Sequence, residues 1–164
     1  MDNSNLSTLE NSVGLLLAAQ RRASQPDEIF RTLDEVMKEQ IGHKLFTVLR
    51  QHQQPRELER LYTNQPDAYP VSGRKDVVPS RWTRNVLELG NPHICFTAED
   101  IIDCFPDHQT IADLGCASAL NIPLMFGGTV CGSVNLLHKE RYYGEHHIKP
   151  ACLLASFALA ALLV

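Results

Sequence analysis

The sequence predicts an α+β fold in which one antiparallel sheet carries helices on its faces. Three observations predict it. Two helical stripes open the chain, alternating apolar segments flank Gly127-Gly128, and a nearly continuous apolar stretch closes the chain.

The first stripe is Leu6, Leu9, Val13, Leu16 and Leu17, at three- and four-residue steps, with Arg21-Arg22 where cations favour a helix end. Ser24 is the expected cap of a second helix. Its first turn holds Pro26, Asp27 and Glu28, its apolar face is Ile29, Phe30, Leu33, Val36 and Met37, and Gly42 ends it. The period then changes. Leu45 to Leu49 and Leu58 to Thr63, joined by Gln53-Gln54-Pro55-Arg56, predict a hairpin. Residues 64 to 79 hold three prolines and one glycine and read as a loop, long enough to serve as a pocket lid. Ser80 to Leu89 predicts a short helix with Trp82, Val86 and Leu89 on one side, stopped by Gly90-Asn91-Pro92.

A short strand follows over His93 to Thr97, then two brief helices around Phe105-Pro106 with Ile101, Ile102, Phe105, Ile111 and Leu114 turned inward. The hairpin around Gly127-Gly128 is the strongest local signal. Leu120, Ile122, Leu124 and Phe126 alternate on one arm, and Val130, Gly132, Val134 and Leu136 on the other. Pro123 places its strand at an edge or a bulge, because proline donates nothing to a ladder. The closing helix, about Gly144 to Leu163, is apolar almost all round and needs cover on both sides.

Composition narrows the function classes. With 164 residues and 44% hydrophobic content, the chain suits one domain with one core, with residues 1–23 as an N-terminal helix and 24–164 as the body. Lys and Arg number 15 against 19 Asp and Glu, a net charge of −4 without long blocks of either sign, so no nucleic-acid partner is expected. No membrane span is expected either. The apolar stretch Ala151 to Val164 is shorter than the roughly 18 to 20 residues that cross a bilayer, and the start, Met1-Asp2-Asn3-Ser4-Asn5, has no basic region of a secretory signal. Five cysteines, odd in number and without a C-x-x-C pair, argue against a disulfide framework or zinc knuckle and for a reducing cytoplasm.

The run Ser118-Ala119-Leu120-Asn121-Ile122-Pro123-Leu124, then Gly127-Gly128 and Gly132-Ser133-Val134-Asn135, resembles the signature hairpin of GAF domains, as Val86 to Pro92 resembles the helix and turn before their central strand. The resemblance extends from about Pro26 to Leu163. It implies a GAF-like, profilin-like sheet with N- and C-terminal helices packed on one face and a small-molecule cavity under residues 64 to 118. Family members bind many effectors, so the ligand and any cofactor stay unknown at this point. Trp82 beside Arg84, Tyr62 in the first hairpin, and, by resemblance alone, Phe96 and Ser118 are the candidate ligand-binding residues.

Family subtypes are read at their own residues. The region of His138-Lys139, Tyr142-Tyr143 and His146-His147 lacks the acidic pair of cyclic-nucleotide binders, and Ala117, not histidine, follows Cys116 where bilin binders attach their pigment. His146 and His147 are adjacent and point about 100° apart on a helix, so no metal site is expected there. One enzyme of the family, free methionine-(R)-sulfoxide reductase, uses thiol chemistry, and Cys95, Cys104 and Cys116 fall in roughly its region with altered spacing. The sequence therefore predicts a non-enzymatic GAF sensor that binds a small molecule and signals as a homodimer through its terminal helices, with the reductase as the alternative.

Overall fold

The computed structural model describes residues 3–71 and 73–163, with side chains from residue 7 onward. The Leu6 side chain and Val164 lie outside the described residues. Helix α1 spans Asn3–Gln20 and α2 spans Asp27–Gln40. Strands β1 (Leu45–Gln53) and β2 (Arg56–Thr63) form the first hairpin. After β3 (Arg74–Asp76) comes a π-helical turn, Thr83–Glu88, then β4 (His93–Cys95), α3 (Ala98–Cys104) and α4 (His108–Asp113). Strands β5 (Ser118–Phe126) and β6 (Thr129–His138) make the second hairpin, and α5 (Ile148–Ala155) and α6 (Leu159–Leu162) close the chain around a 3₁₀ turn.

All six strands join one sheet in the order β3-β2-β1-β6-β5-β4, each pair antiparallel. Alternation along the strands divides the interior into two cores. Phe46, Val48, Leu120, Ile122, Val134 and Leu136 face α1, α2, α5 and α6. Leu45, Ala119 and Leu137 face the other way, beneath the connection that carries Trp82, Val86, Ile101 and Ile111. The terminal helices therefore share one face and leave the other to the irregular segment.

The start of α2 differs from expectation: the Ser24 carbonyl, not its hydroxyl, accepts the Glu28 N–H at 3.0 Å. Glu28 instead receives Arg31 and Arg22, which hold its carboxyl below the usual range. Gly42 ends the helix as expected, with φ +93° and its N–H on the Met37 carbonyl at 2.9 Å.

Four apolar residues expected inside are exposed. Leu17 neighbours buried Leu16 on α1, and Ile102 neighbours buried Ile101 on α3, so each points about 100° off the packed stripe. Leu89 leaves the Trp82–Val86 face because the wider π turn, closed by the Leu89 N–H on the Arg84 carbonyl, shifts the later residues round. Phe126 lies past a register shift between Leu124 and Met125, at the hairpin tip, and the same shift sends Val130 to the second core.

Strand β4 begins opposite Asn121 and runs away from Pro123, so Pro123 has a strand neighbour on one side only, one residue before that shift. The stretch expected as loop contains β3, three exposed residues whose charges (Arg74, Lys75, Asp76) suit an edge strand. The terminal helix finds its cover within the chain. Ala151, Leu154, Ala155, Ala158, Ala161 and Leu162 are buried in the first core, against α2, β5 and β6.

Candidate functional site

A cavity of about 350 Å³ opens between the sheet and the connection that covers it. Its floor comes from the three central strands. Thr47, Asn135 and Asn121 occupy one cross-strand row, paired by register β1 to β6 to β5. Strand alternation turns this row toward the cavity because Phe46, Val48, Leu120, Ile122, Val134 and Leu136 all belong to the opposite face. The Asn121 Nδ2 donates to Asn135 Oδ1 at 2.8 Å, and Asn135 Nδ2 donates to Thr47 Oγ1 at 3.2 Å.

The remaining walls are mostly apolar: Leu49, Leu58, Trp82, Phe105, Ile111 and Leu137. Trp82 and Phe105 rings pack 5.5 Å apart. Arg60, Tyr69 and Asp107 form a polar corner. The Arg60 guanidinium lies 3.8 Å from the Tyr69 ring centre and donates to the Pro70 carbonyl at 2.7 Å. The Tyr69 hydroxyl donates to Asp107, and burial first, then that carboxylate, raises its pKa.

Three buried polar atoms of the cavity residues have no hydrogen-bond partner among the described residues: Asn121 Oδ1, Trp82 Nε1 and Arg60 Nε. Burying an amide oxygen or an indole N–H unpaired costs about 1–3 kcal/mol each, so such atoms mark where a ligand or water belongs. The first accepts and the other two donate. The cavity thus offers hydrogen bonding of both polarities within apolar walls.

Of the residues singled out from the sequence, Trp82 and Cys104 line this cavity. Tyr62 is on the opposite face, packed against Phe30 and Phe46 with its hydroxyl on Asp34 at 2.8 Å. Ser118 is fully buried and donates to the Lys139 carbonyl at 2.7 Å, an intrachain use of its hydroxyl. Phe96 and Arg84 are exposed and outside the cavity lining. Asn121 and Asn135 were not singled out. Their signal was available, since a polar amide at mid-strand among Leu, Ile and Val is costly unless something pairs it.

Next to the cavity, β4 and α3 bring His93, Cys95 and Cys104 together, their nearest donor atoms all within 4.8 Å of one another. Cys104 Sγ is 3.7 Å from His93 Nε2. A Thr97–Asp100 capping box starts α3, and Arg81 bridges Asp100 at 3.1 Å and Asp103 at 3.5 Å, so the helix that carries Cys104 is tied at both ends. The Cys104 thiol is pulled below the ordinary range, first by the hydrogen bond from Cys95 and then by His93, while the same hydrogen bond and burial push Cys95 up. Cys104 is thus the more acidic thiol of the two. Cys116 stands outside this group, buried, its thiol on the Leu114 carbonyl and raised by desolvation. His138 and His147 stack on Tyr142 on the far side of the chain, the first at 3.7 Å between ring centres.

This architecture is that of a GAF domain. The chain is similar to the GAF domain of an Acinetobacter phosphoenolpyruvate-protein phosphotransferase, with 12% identity over 99% of this chain and 95% of that one, and a TM-score of 0.76. It is similar to the GAF domain of the Coxiella burnetii phosphoenolpyruvate-protein phosphotransferase, with 16% identity over 97% and 92% of the two chains, TM-score 0.74. It also resembles the chromophore-binding domain of a Stigmatella aurantiaca bacteriophytochrome, with 15% identity over 97% of this chain and 60% of that one, TM-score 0.68. No family model matches the sequence, and no curated protein does. Among the described residues, no helix is long and apolar enough to cross a membrane.

Proposed function

We propose that this chain is a sensory and regulatory GAF domain that binds one small, mostly apolar heterocyclic molecule in the cavity above Asn121 and Asn135. The observation that carries it is the presence of three orphaned polar atoms, Asn121 Oδ1, Trp82 Nε1 and Arg60 Nε, among the residues that line a cavity of about 350 Å³. That volume suits a drug-sized or smaller ligand. A molecule with one donor for Asn121 Oδ1 and acceptors for Trp82 Nε1 and Arg60 Nε satisfies these atoms and covers the Trp82 ring.

The reading includes signalling through a homodimer in a cytoplasmic setting. The support for the homodimer is the exposure of Leu15 and Leu17 on α1 and of Leu153 on α5, at 55%, 52% and 46%. The test is the mass of unrefolded protein, first under native and then under denaturing conditions. A dimer that releases a heterocycle, with release lost in Asn121→Leu, supports the reading. Protein that carries no adduct and gains no thermal stability from a library of heterocycles refutes ligand sensing, and a monomer refutes the helix pairing.

A second reading is favoured by one observation: Cys104 lines the cavity with Cys95 beside it. A sulfoxide reductase uses such a pair. Cys104 attacks the sulfoxide sulfur, Cys95 then attacks Cys104, and two thiols plus sulfoxide become disulfide, thioether and water. Methionine-(R)-sulfoxide added to reduced protein produces a Cys95–Cys104 disulfide and one equivalent of methionine if this reading holds, and neither product if it fails.

A further inference from the structure

We propose that His93, Cys95 and Cys104 form a binding site for a thiophilic metal ion, zinc in particular, at the edge of the cavity. The three donors come from two elements whose mutual position is set by the fold. His93 and Cys95 are two apart on β4 and so share a face of the strand, held by pairing with Asn121 and Ala119 on β5. Cys104 ends α3, which packs across β4 and β5. Both cysteines are buried, at 0% and 4% exposure, so the sulfurs are shielded from solvent.

The Cys104–His93 spacing fits the ion, and Cys95 Sγ lies within 4.8 Å of both. Zinc bonds of about 2.3 Å to sulfur and about 2.0 Å to nitrogen, at a tetrahedral angle, separate S from N by about 3.5 Å. Cys104 Sγ and His93 Nε2 stand 3.7 Å apart. Two thiolates and an imidazole are donors that favour zinc over magnesium or calcium, which take oxygen ligands. The remaining ring nitrogen of His93 has a partner too, Asn85 Nδ2 at 3.1 Å. With its amide turned over, Asn85 accepts from Nδ1–H and leaves the Nε2 lone pair for the metal, the usual outer support of a metal-bound histidine.

Three protein donors leave a fourth position of the tetrahedron for water or a ligand atom. Because Cys104 forms part of the cavity wall, an ion on its sulfur sits beside the cavity contents. The site does not depend on the sensory reading: it requires only the three side chains, and it stands or falls without a cavity ligand.

The test uses the full chain, reduced and kept free of oxygen, titrated with cobalt and then zinc. The expected result is one cobalt per chain, with the intense visible bands of tetrahedral cobalt and a thiolate-to-cobalt charge-transfer band, both erased by one equivalent of zinc. Cys104→Ser and Cys95→Ser lose the charge-transfer band in whole or part, Cys116→Ser retains it, and Asn85→Ala binds roughly ten- to a hundredfold more weakly. His93→Cys, which replaces one donor by another, keeps a tetrahedral spectrum and separates loss of a ligand from loss of fold. Reduced protein that shows no tetrahedral cobalt spectrum, or one unchanged in Cys104→Ser, overturns the proposal.

Discussion

Asn121 donates through Nδ2 to Asn135 Oδ1 at 2.8 Å from directly opposed positions of β5 and β6, leaving Asn121 Oδ1 buried with no partner among the described residues. Three amide and hydroxyl groups in line, Asn121, Asn135 and Thr47, form a polar row across an otherwise apolar sheet. A row of this kind is stable only while each link is made.

Breaking it at the centre costs more than removing its end. Asn135→Leu strands both the Asn121 amide and the Thr47 hydroxyl, and urea unfolding should show a loss of about 1–3 kcal/mol. Asn121→Leu also removes an atom already unpaired, so its loss is smaller. The double variant should be more stable than the sum of the two single losses, and strict additivity would show the pair uncoupled.

Trp82 is the sole tryptophan, so its fluorescence reports the cavity directly. A bound heterocycle should shift or quench that emission. Trp82→Phe keeps an aromatic ring beside Phe105 but loses part of the indole together with its N–H, so it should weaken such a ligand by about tenfold, read by calorimetry because the variant has no tryptophan, and cost about 1–3 kcal/mol of stability. Equal affinity in the variant would remove Trp82 Nε1 from the binding account.

Gly132 is required by close approach. A Cβ there meets the Leu49 carbonyl and the Leu162 side chain, so a methyl group forces β1 and β6 apart or displaces α6. Gly132→Ala should cost about 1–3 kcal/mol in urea unfolding. A change below about 0.5 kcal/mol would mean the strands adjust freely there.

Acid weakens the fold in two windows. Burial, first of all, holds His138 and His147 below the ordinary imidazole value of 6.5. As pH falls past that value the unfolded chain takes up protons that the folded chain refuses, so their contribution is complete above it and is lost on acidification through the folded pKa. Glu28, held below 4.5 chiefly by Arg31, adds a second loss at lower pH with the same sign. Urea midpoints should fall between about pH 7 and about pH 5.5, and His138→Gln with His147→Gln should flatten that fall. An unchanged slope would place the protons elsewhere.

Much of the fold was legible in order and period. The hairpin on Gly127-Gly128, the α2 face and the Gly42 stop all follow from short-range rules, because each depends on spacing within one turn or one strand pair. Strand β3 escaped notice because three charged residues on an edge carry no alternation. Among the candidate binding residues, Trp82 lies at the cavity, and its place there was legible as that of a large aromatic on a predicted inner face. Tyr62 and Ser118 were misplaced because their side chains point to the opposite face or bond to backbone, choices that one-residue steps in a strand invert.

The sequence by itself determined the α+β class, the order of the elements apart from β3, and the alternation that splits the sheet into two faces, since all three rest on local chain geometry. Tertiary structure decided which groups meet. His93, Cys95 and Cys104 become neighbours only when α3 folds back over β4, and Asn121, Asn135 and Thr47 align only through the register of three strands, from positions up to 88 residues apart. Chain spacing carries no record of such meetings, because they are fixed by how packed faces exclude water and satisfy their polar groups.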